Sequence, residues 1–194
     1  MFKRLVFLVA ILCLPASMVL ADFKGGVEAY RNGEYGAAFE EWEILAVSGH
    51  SKAQSNLGLL YLRGQGVQKD EEAALEWFEK AAEQGLITVQ FNLGILYSRI
   101  DGKLKSQSKS TEWYIRAAEA GHATARYHLA QRFENGRGTK RDFVEALRWA
   151  ILASETATGR LKGKTMEYRD RLLEKMPRAQ IEKAIQLAAD TKGQ

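Results

Sequence analysis

The chain has 194 residues, room for one medium-sized domain, and carries 28 basic against 24 acidic side chains. A formal charge of +4 is a small imbalance rather than a nucleic-acid footprint. A single cysteine excludes an internal disulfide framework and a thiolate-clustered metal site.

Residues 1–21 have the three parts of a secretory signal peptide. Lys3 and Arg4 give a charged start, Leu5 to Leu14 is apolar, and Pro15 breaks the run. Val19-Leu20-Ala21 offers a cleavage site before Asp22. The competing reading, a membrane anchor, needs about 20 apolar residues, and the stretch from Leu5 to Leu20 has only 16. Cys13 is not read as a lipid-anchored cysteine, because Leu12 precedes it where a small residue is expected. Cleavage after Ala21 removes Lys3, Arg4 and Cys13, so the 28 basic residues become 26 against 24 acidic ones. A periplasmic or secreted location with no stable membrane anchor is expected. Stability there must come from helix packing.

Residues 22–49 read as an opening helix pair. Its run is A-Y-x-x-G-x-Y-x-x-A from Ala29 to Ala38, with Asn32-Gly33 as a tight turn. Phe39, Trp42 and Ala46 then recur at helical spacing.

Residues 50–157 contain one unit written repeatedly with a period of 36. Gly49, Gly85 and Gly121 mark the period, as do Trp77, Trp113 and Trp149. Between the glycines come Ala53-Gln54 and Val89-Gln90, then Asn56-Leu57-Gly58 and Asn92-Leu93-Gly94. A fixed period in this range is the signature of a repeat array. Each unit predicts helix A, a glycine loop and helix B. The first helix A spans about Lys52–Arg63, with Ala53, Leu57 and Tyr61 on one stripe. Asp70 caps helix B, Glu71 and Glu72 suit its first turn, and Ala74, Trp77 and Ala81 form its buried stripe. All three repeat tryptophans, and Trp42, are expected in the core. The second unit loses a loop glycine at Ile100 and the capping aspartate at Ser106, so Ser98–Lys109 is expected to be the most mobile connection. The third keeps Gly136, Gly138 and Asp142 but places Arg126, His128 and Ala130 where Gln, Asn and Gly stand.

Residues 158–194 read as a capping helix pair for the open end of the array. Thr158–Lys162 is expected as loop and Lys164–Met176 as a polar helix. Pro177 opens a last helix, Arg178–Asp190, whose apolar stripe is Ile181, Ala184, Ile185 and Ala188.

The pattern A-Q-x-N-L-G-x-x-Y-x-x-G-x-G-V-x-x-D-x-x-x-A-x-x-W-x-x-x-A-A-x-x-G, met nearly letter for letter by residues 53–85, resembles the Sel1-like repeat, a relative of the tetratricopeptide repeat. The resemblance implies an all-α, right-handed α-solenoid of about five antiparallel helix pairs. It also implies an adaptor or scaffold that binds a protein or peptide through the concave face, possible regulation of an envelope process included. An envelope polysaccharide or cell-wall assembly factor is the alternative, and a β-lactamase-like hydrolase a distant third. Ser106-Gln107-Ser108-Lys109 matches S-x-x-K, but the S-D-N and K-T-G partners of that chemistry are absent. No catalytic residue, cofactor or metal is expected, and no nucleic-acid partner. His50 and His122 share a repeat position that Leu86 fills in the middle copy, which reads as a packing slot.

The partner surface is expected on the face of the A helices away from the buried stripe. Leu59, Phe91, Ile95 and Tyr127 form an apolar row there with no partner in their own unit. Ser55, Asn56, Asn92, His128 and Gln131 flank it. Export makes a direct prediction: intact-mass measurement of the protein recovered from the periplasm gives a chain beginning at Asp22. An uncleaved chain in the cytosol contradicts it.

Overall fold

The structure is a computed structural model that describes residues 21–192, so the signal-peptide segment up to residue 20 lies outside the described residues. Ten α-helices and one short 3-10 turn follow one another, with no strand among the described residues. They are α1 (Phe23–Asn32), α2 (Tyr35–Val47), α3 (Ser51–Arg63), α4 (Glu71–Glu83) and α5 (Ile87–Arg99). After the turn Gly102–Leu104 come α6 (Gln107–Glu119), α7 (Ala123–Asn135), α8 (Phe143–Thr156), α9 (Gly159–Lys175) and α10 (Arg178–Lys192). Each helix up to α8 packs against the next, giving the stacked pairs of an α-solenoid. Beyond that point α9 and α10 both lie chiefly against α8, which is covered on both flanks.

Capping explains where the helices start. Asp70, Ser106 and Asp142 accept backbone N–H bonds at the starts of α4, α6 and α8, at the same repeat position. The second unit therefore keeps its cap, with a serine hydroxyl replacing the carboxylate. His50 and His122 start α3 and α7: each Nδ1 accepts from the N–H three residues on, Ala53 and Ala125, at 3.1 and 3.2 Å. The position is a packing slot, with His50 stacked on Phe23 at 4.9 Å and His122 on Phe91 at 4.4 Å, and the imidazoles add a second role. These histidines are N-caps, while Leu86 at the middle position makes no side-chain cap bond.

Two loop glycines are needed for backbone reasons. Gly66 and Gly138, at one repeat position, have φ of +71° and +69°. A Cβ there would collide with the Tyr35 and Gln107 carbonyls of the preceding unit. Their middle counterpart, Gly102, has nothing within 4 Å. The second loop is anchored instead by Ile100 and Leu104, which pack against the central core.

The core is three linked clusters. The first surrounds Trp42, Leu57 and Leu60; the second runs from Ala74 to Trp113; the third runs from Tyr114 through Trp149 to Ala188. Alanines at 53, 81, 82, 117, 118, 125 and 146 are fully buried and keep the helices close. Gly58 and Gly94 serve the same end: a Cβ would meet the Phe78 ring at 3.2 Å and the Tyr114 ring at 2.8 Å. Some expectations shift. Trp42, Trp113 and Trp149 are buried, but Trp77 is only half-buried, with Lys80 Nζ 4.1 Å above its ring. Tyr61 is likewise half-buried. Residues 159–162 are helical rather than loop, since Thr158 ends the extended stretch and α9 begins at Gly159. Ile185 is 51% exposed, because α10 turns only Ala184 and Ala188 squarely inward.

One polar contact recurs at every unit boundary. Gln54 Nε2 donates to the Ala46 carbonyl at 3.1 Å, Gln90 Nε2 to Ala82 at 3.0 Å, and Arg126 Nε to Ala118 at 2.9 Å. In the first unit the remaining Gln54 Oε1 accepts from Gln84 Nε2 at 2.7 Å. The residue equivalent to Gln84 in the next unit is Ala120, and the buried Gln90 Oε1 has no protein partner. Ala120 is exposed at the end of α6, where a glutamine fits. Ala120→Gln is therefore expected to stabilise the fold by about 1 kcal/mol, measured by urea unfolding. An unchanged midpoint would show that the Gln90 oxygen costs nothing as it stands.

Candidate functional site

Three cavities open along α3, α5 and α7. The first, of about 320 Å³, is lined by Phe23, Lys52, Ser55, Asn56, Thr88 and Asn92 among others. The second, of about 420 Å³, lies between α5, α6 and α7 and is lined by Ile95, Ser98, Arg99, Gln107, Tyr114, His128, Gln131, Arg132, Asn135 and Arg137. The third, of about 690 Å³, lies between α7 and α9 and includes Tyr127, Gln131, Glu134, Asn135, Lys164 and Tyr168. Gln131 and Asn135 line both of the larger cavities, which are therefore adjacent.

The residues singled out from the sequence divide among these places. Ser55, Asn56 and Asn92 fall in the first cavity, Ile95, His128 and Gln131 in the second, and Tyr127 and Gln131 in the third. Leu59 lines none of them and packs against the central core. Phe91 needs a correction. It has a ring partner in its own unit, Tyr114 at 5.8 Å, and stacks on His122 at 4.4 Å. The apolar row is thus partly covered, because successive A helices sit close enough for their rings to meet.

Sequence reading missed the most unusual feature of this face. The position occupied by the buried Leu60 in the first unit and by Leu96 in the second is Arg132 in the third. Arg132 is 7% exposed. Its guanidinium donates to Thr111 Oγ1 at 3.0 Å, to Gln107 Oε1 and the Gln107 carbonyl at 3.2 Å each, to the Arg137 carbonyl at 3.2 Å, and to Ser110 Oγ. Ser110 and Thr111 themselves stand where the flanking units have Ala74-Leu75 and Ala146-Leu147. Three polar substitutions in two units therefore meet at one point, and every acceptor is neutral. Lining up the copies at 36 residues exposes all three departures, and that is the signal available without a structure.

Electrostatics around this cluster follow from burial and from the arginines. The Tyr114 phenol is raised by burial, against the opposing pull of Arg132 and Arg99. Burial, with Arg132 and Arg99 adding repulsion, pushes His128 below the ordinary imidazole range, and Gln131 opposes this by hydrogen bonding. His122 is lowered by burial as well. The S-x-x-K segment is used differently: Ser106 Oγ accepts from the Lys109 backbone N–H at 3.2 Å. Lys109 Nζ turns away to the Tyr97 hydroxyl and Glu79 at 3.2 and 3.4 Å. This is a helix cap beside an ion pair.

The lowered histidines carry a sign. On acidification the unfolded imidazoles take up protons first, near their ordinary value of 6.5, while the folded ones resist. Their contribution is thus fully present above pH 6.5 and is lost as pH falls through the window below it. His128→Asn, which restores the residue of the other two copies, is expected to reduce the fall in melting temperature between pH 7.5 and pH 5. An identical fall in wild type and variant would contradict a desolvated His128.

The comparisons agree with this architecture. The Sel1 repeat family pattern matches residues 51–86, 88–122 and 123–155. The chain is similar to a solved Sel1 repeat protein from Oxalobacter formigenes, with 30% identity, 87% of this chain and 75% of that one covered, and a TM-score of 0.63. It is also similar to a protective antigen of uropathogenic Escherichia coli displaying an SLR fold, with 26% identity, 87% of this chain and 46% of that one covered, and a TM-score of 0.42. No curated protein matches the chain. With three matched units stacked as helix pairs, the chain belongs to the Sel1 repeat family.

Proposed function

We propose that the protein is an exported adaptor that holds a protein or peptide partner along the exposed faces of α5, α7 and α9. Sel1 repeat proteins generally scaffold protein interactions, which supports the class. The observation that carries the reading is the adjacency of the two larger cavities through Gln131 and Asn135. Together they make a polar surface walled by the buried rings of Tyr114 and Tyr168 and the half-buried rings of Tyr127 and His128. Amide and guanidinium groups along such a surface suit an extended peptide, whose backbone offers donors and acceptors at every residue. Export rests on the tripartite sequence of residues 1–21.

The polysaccharide alternative asks for free aromatic faces beside carboxylates. Tyr127 and Tyr168 meet edge to face at 5.3 Å, and the Tyr168 hydroxyl donates to Glu134 at 2.7 Å. Both rings are therefore occupied with packing, which favours the peptide reading.

The test begins with the mature chain as bait in an envelope extract, followed by calorimetric titration of the purified partner. Gln131→Ala with Asn135→Ala is expected to weaken binding at least tenfold, about 1.4 kcal/mol, without lowering the melting temperature by more than a few degrees. Unchanged affinity in the folded double variant would remove the partner from this face.

A further inference from the structure

We infer that the cavity between α5, α6 and α7 is a carboxylate-binding site, so that the segment of partner lying there is an acidic side chain or a chain end. The inference rests on the reading of this face as the partner surface and names the chemistry of what it takes.

Three guanidinium groups, Arg99, Arg132 and Arg137, line the cavity, and none of its lining residues is acidic. Arg132 is the anchor. It is an ionised group at a position where the first unit buries Leu60 and the second holds the half-buried Leu96, and burying a charge is costly unless an opposite charge compensates it. Its neutral acceptors hold the guanidinium in place and leave the charge itself uncancelled. Arg99 and Arg137 are exposed, and among the described residues neither enters a salt bridge. The arginines at 148, 169, 171 and 178 behave differently, each pairing with a carboxylate at 3.1 Å or less. Among the described residues Arg63, Arg116 and Arg141 also enter no salt bridge, so what sets this place apart is that three guanidinium groups line one cavity with no carboxylate in its lining.

The site is also built rather than incidental. The Arg137 carbonyl accepts from both Arg132 and Thr111 Oγ1, which fixes the loop that carries the Arg137 side chain at the cavity mouth. Gly138 brings the same loop against the Gln107 carbonyl. Guanidinium groups match carboxylate oxygens in a forked, charge-assisted geometry, and a low-dielectric wall such as Tyr114 strengthens that attraction. The amides of Gln131 and Asn135 at the rim suit the peptide backbone on either side.

The probes are four fluorescein-labelled decamers: glutamate and glutamine peptides, each with a free or an amidated C-terminus. Binding to the full mature chain is followed by fluorescence anisotropy. Arg99→Glu with Arg137→Glu is compared with Arg31→Glu with Arg160→Glu, an equal charge change at exposed positions elsewhere. The expected result is binding of at least one carboxylate-bearing peptide by the wild type. Its affinity falls at least about tenfold in the cavity variant and changes less than about twofold in the control, with unchanged circular dichroism. Preference for the amidated glutamate peptide assigns side-chain carboxylates, and preference for the free-acid glutamine peptide assigns a chain end; either supports the site. Equal loss in both variants, equal binding of the amidated glutamine peptide, or no binding at all would overturn it. The extract-derived partner separates the two readings. A partner weakened by Gln131→Ala with Asn135→Ala, yet indifferent to the cavity charge reversal, keeps the face and overturns the carboxylate site. Indifference to both overturns both.

Discussion

The array depends on a side chain that ties each A helix to the end of the B helix before it. Gln54, Gln90 and Arg126 occupy one repeat position, and they donate to Ala46, Ala82 and Ala118, also one repeat position. The last carbonyls of a helix have no partner within it, so a buried helix end needs a donor from outside. Here two donors reach the carbonyl: the N–H of Gly49, Gly85 or Gly121 in the left-handed turn, and the side chain from the first turn of the next helix. A directional bond between buried groups sets the angle between successive units in a way that apolar contact alone does not, because apolar contact tolerates sliding. The fully buried alanines then fill the short distance between helices that this bond imposes.

The same position shows how the third unit diverges without losing the architecture. Arg126 keeps the bond to the helix end and adds contacts to Leu152 and Thr156, so a longer, charged side chain performs the task of an amide. Nearby, Arg132 replaces a core leucine, and Ser110 and Thr111 replace an alanine and a leucine. Ser110 and Thr111 reach backbone carbonyls of Gly94, Gln107 and Arg137, and their hydroxyls in turn accept from Arg132. Together they satisfy one another, which is the condition under which a polar cluster survives in a core. The repeat frame tolerates this because each unit contacts mainly its neighbours, so a local rearrangement does not propagate along the array.

The end of the chain follows the same logic. A solenoid exposes the apolar flank of its last unit, and α8 is rich in such surface, with Leu147, Trp149, Ala150, Leu152 and Ala153 buried. Two helices that lie against α8 cover it, and their outer faces are charged. Tyr168 extends this cover to α7 by bonding Glu134, so the cap and the cavity between α7 and α9 share a wall.

The sequence by itself determined the helical class, the unit boundaries near Gly49, Gly85 and Gly121, and the caps at Asp70 and Asp142. These are local or periodic properties: a glycine loop, a capping carboxylate and a stripe every three to four residues act within one unit and repeat visibly. It also located the faces of α3, α5 and α7 where Asn56, Ile95, Tyr127 and Gln131 line cavities. Tertiary structure decided what periodicity cannot express. Trp77 stays half-buried while Trp113 and Trp149 are enclosed, because burial depends on what the neighbouring units place over an identical position. Phe91 is half-buried because Tyr114 of α6 and His122 at the start of α7 reach it. The arginine cavity depends on Arg99, Arg132 and Arg137 converging from α5, α7 and the loop after it. Convergence of residues from separate elements is a property of distance in space, which a one-dimensional pattern does not record.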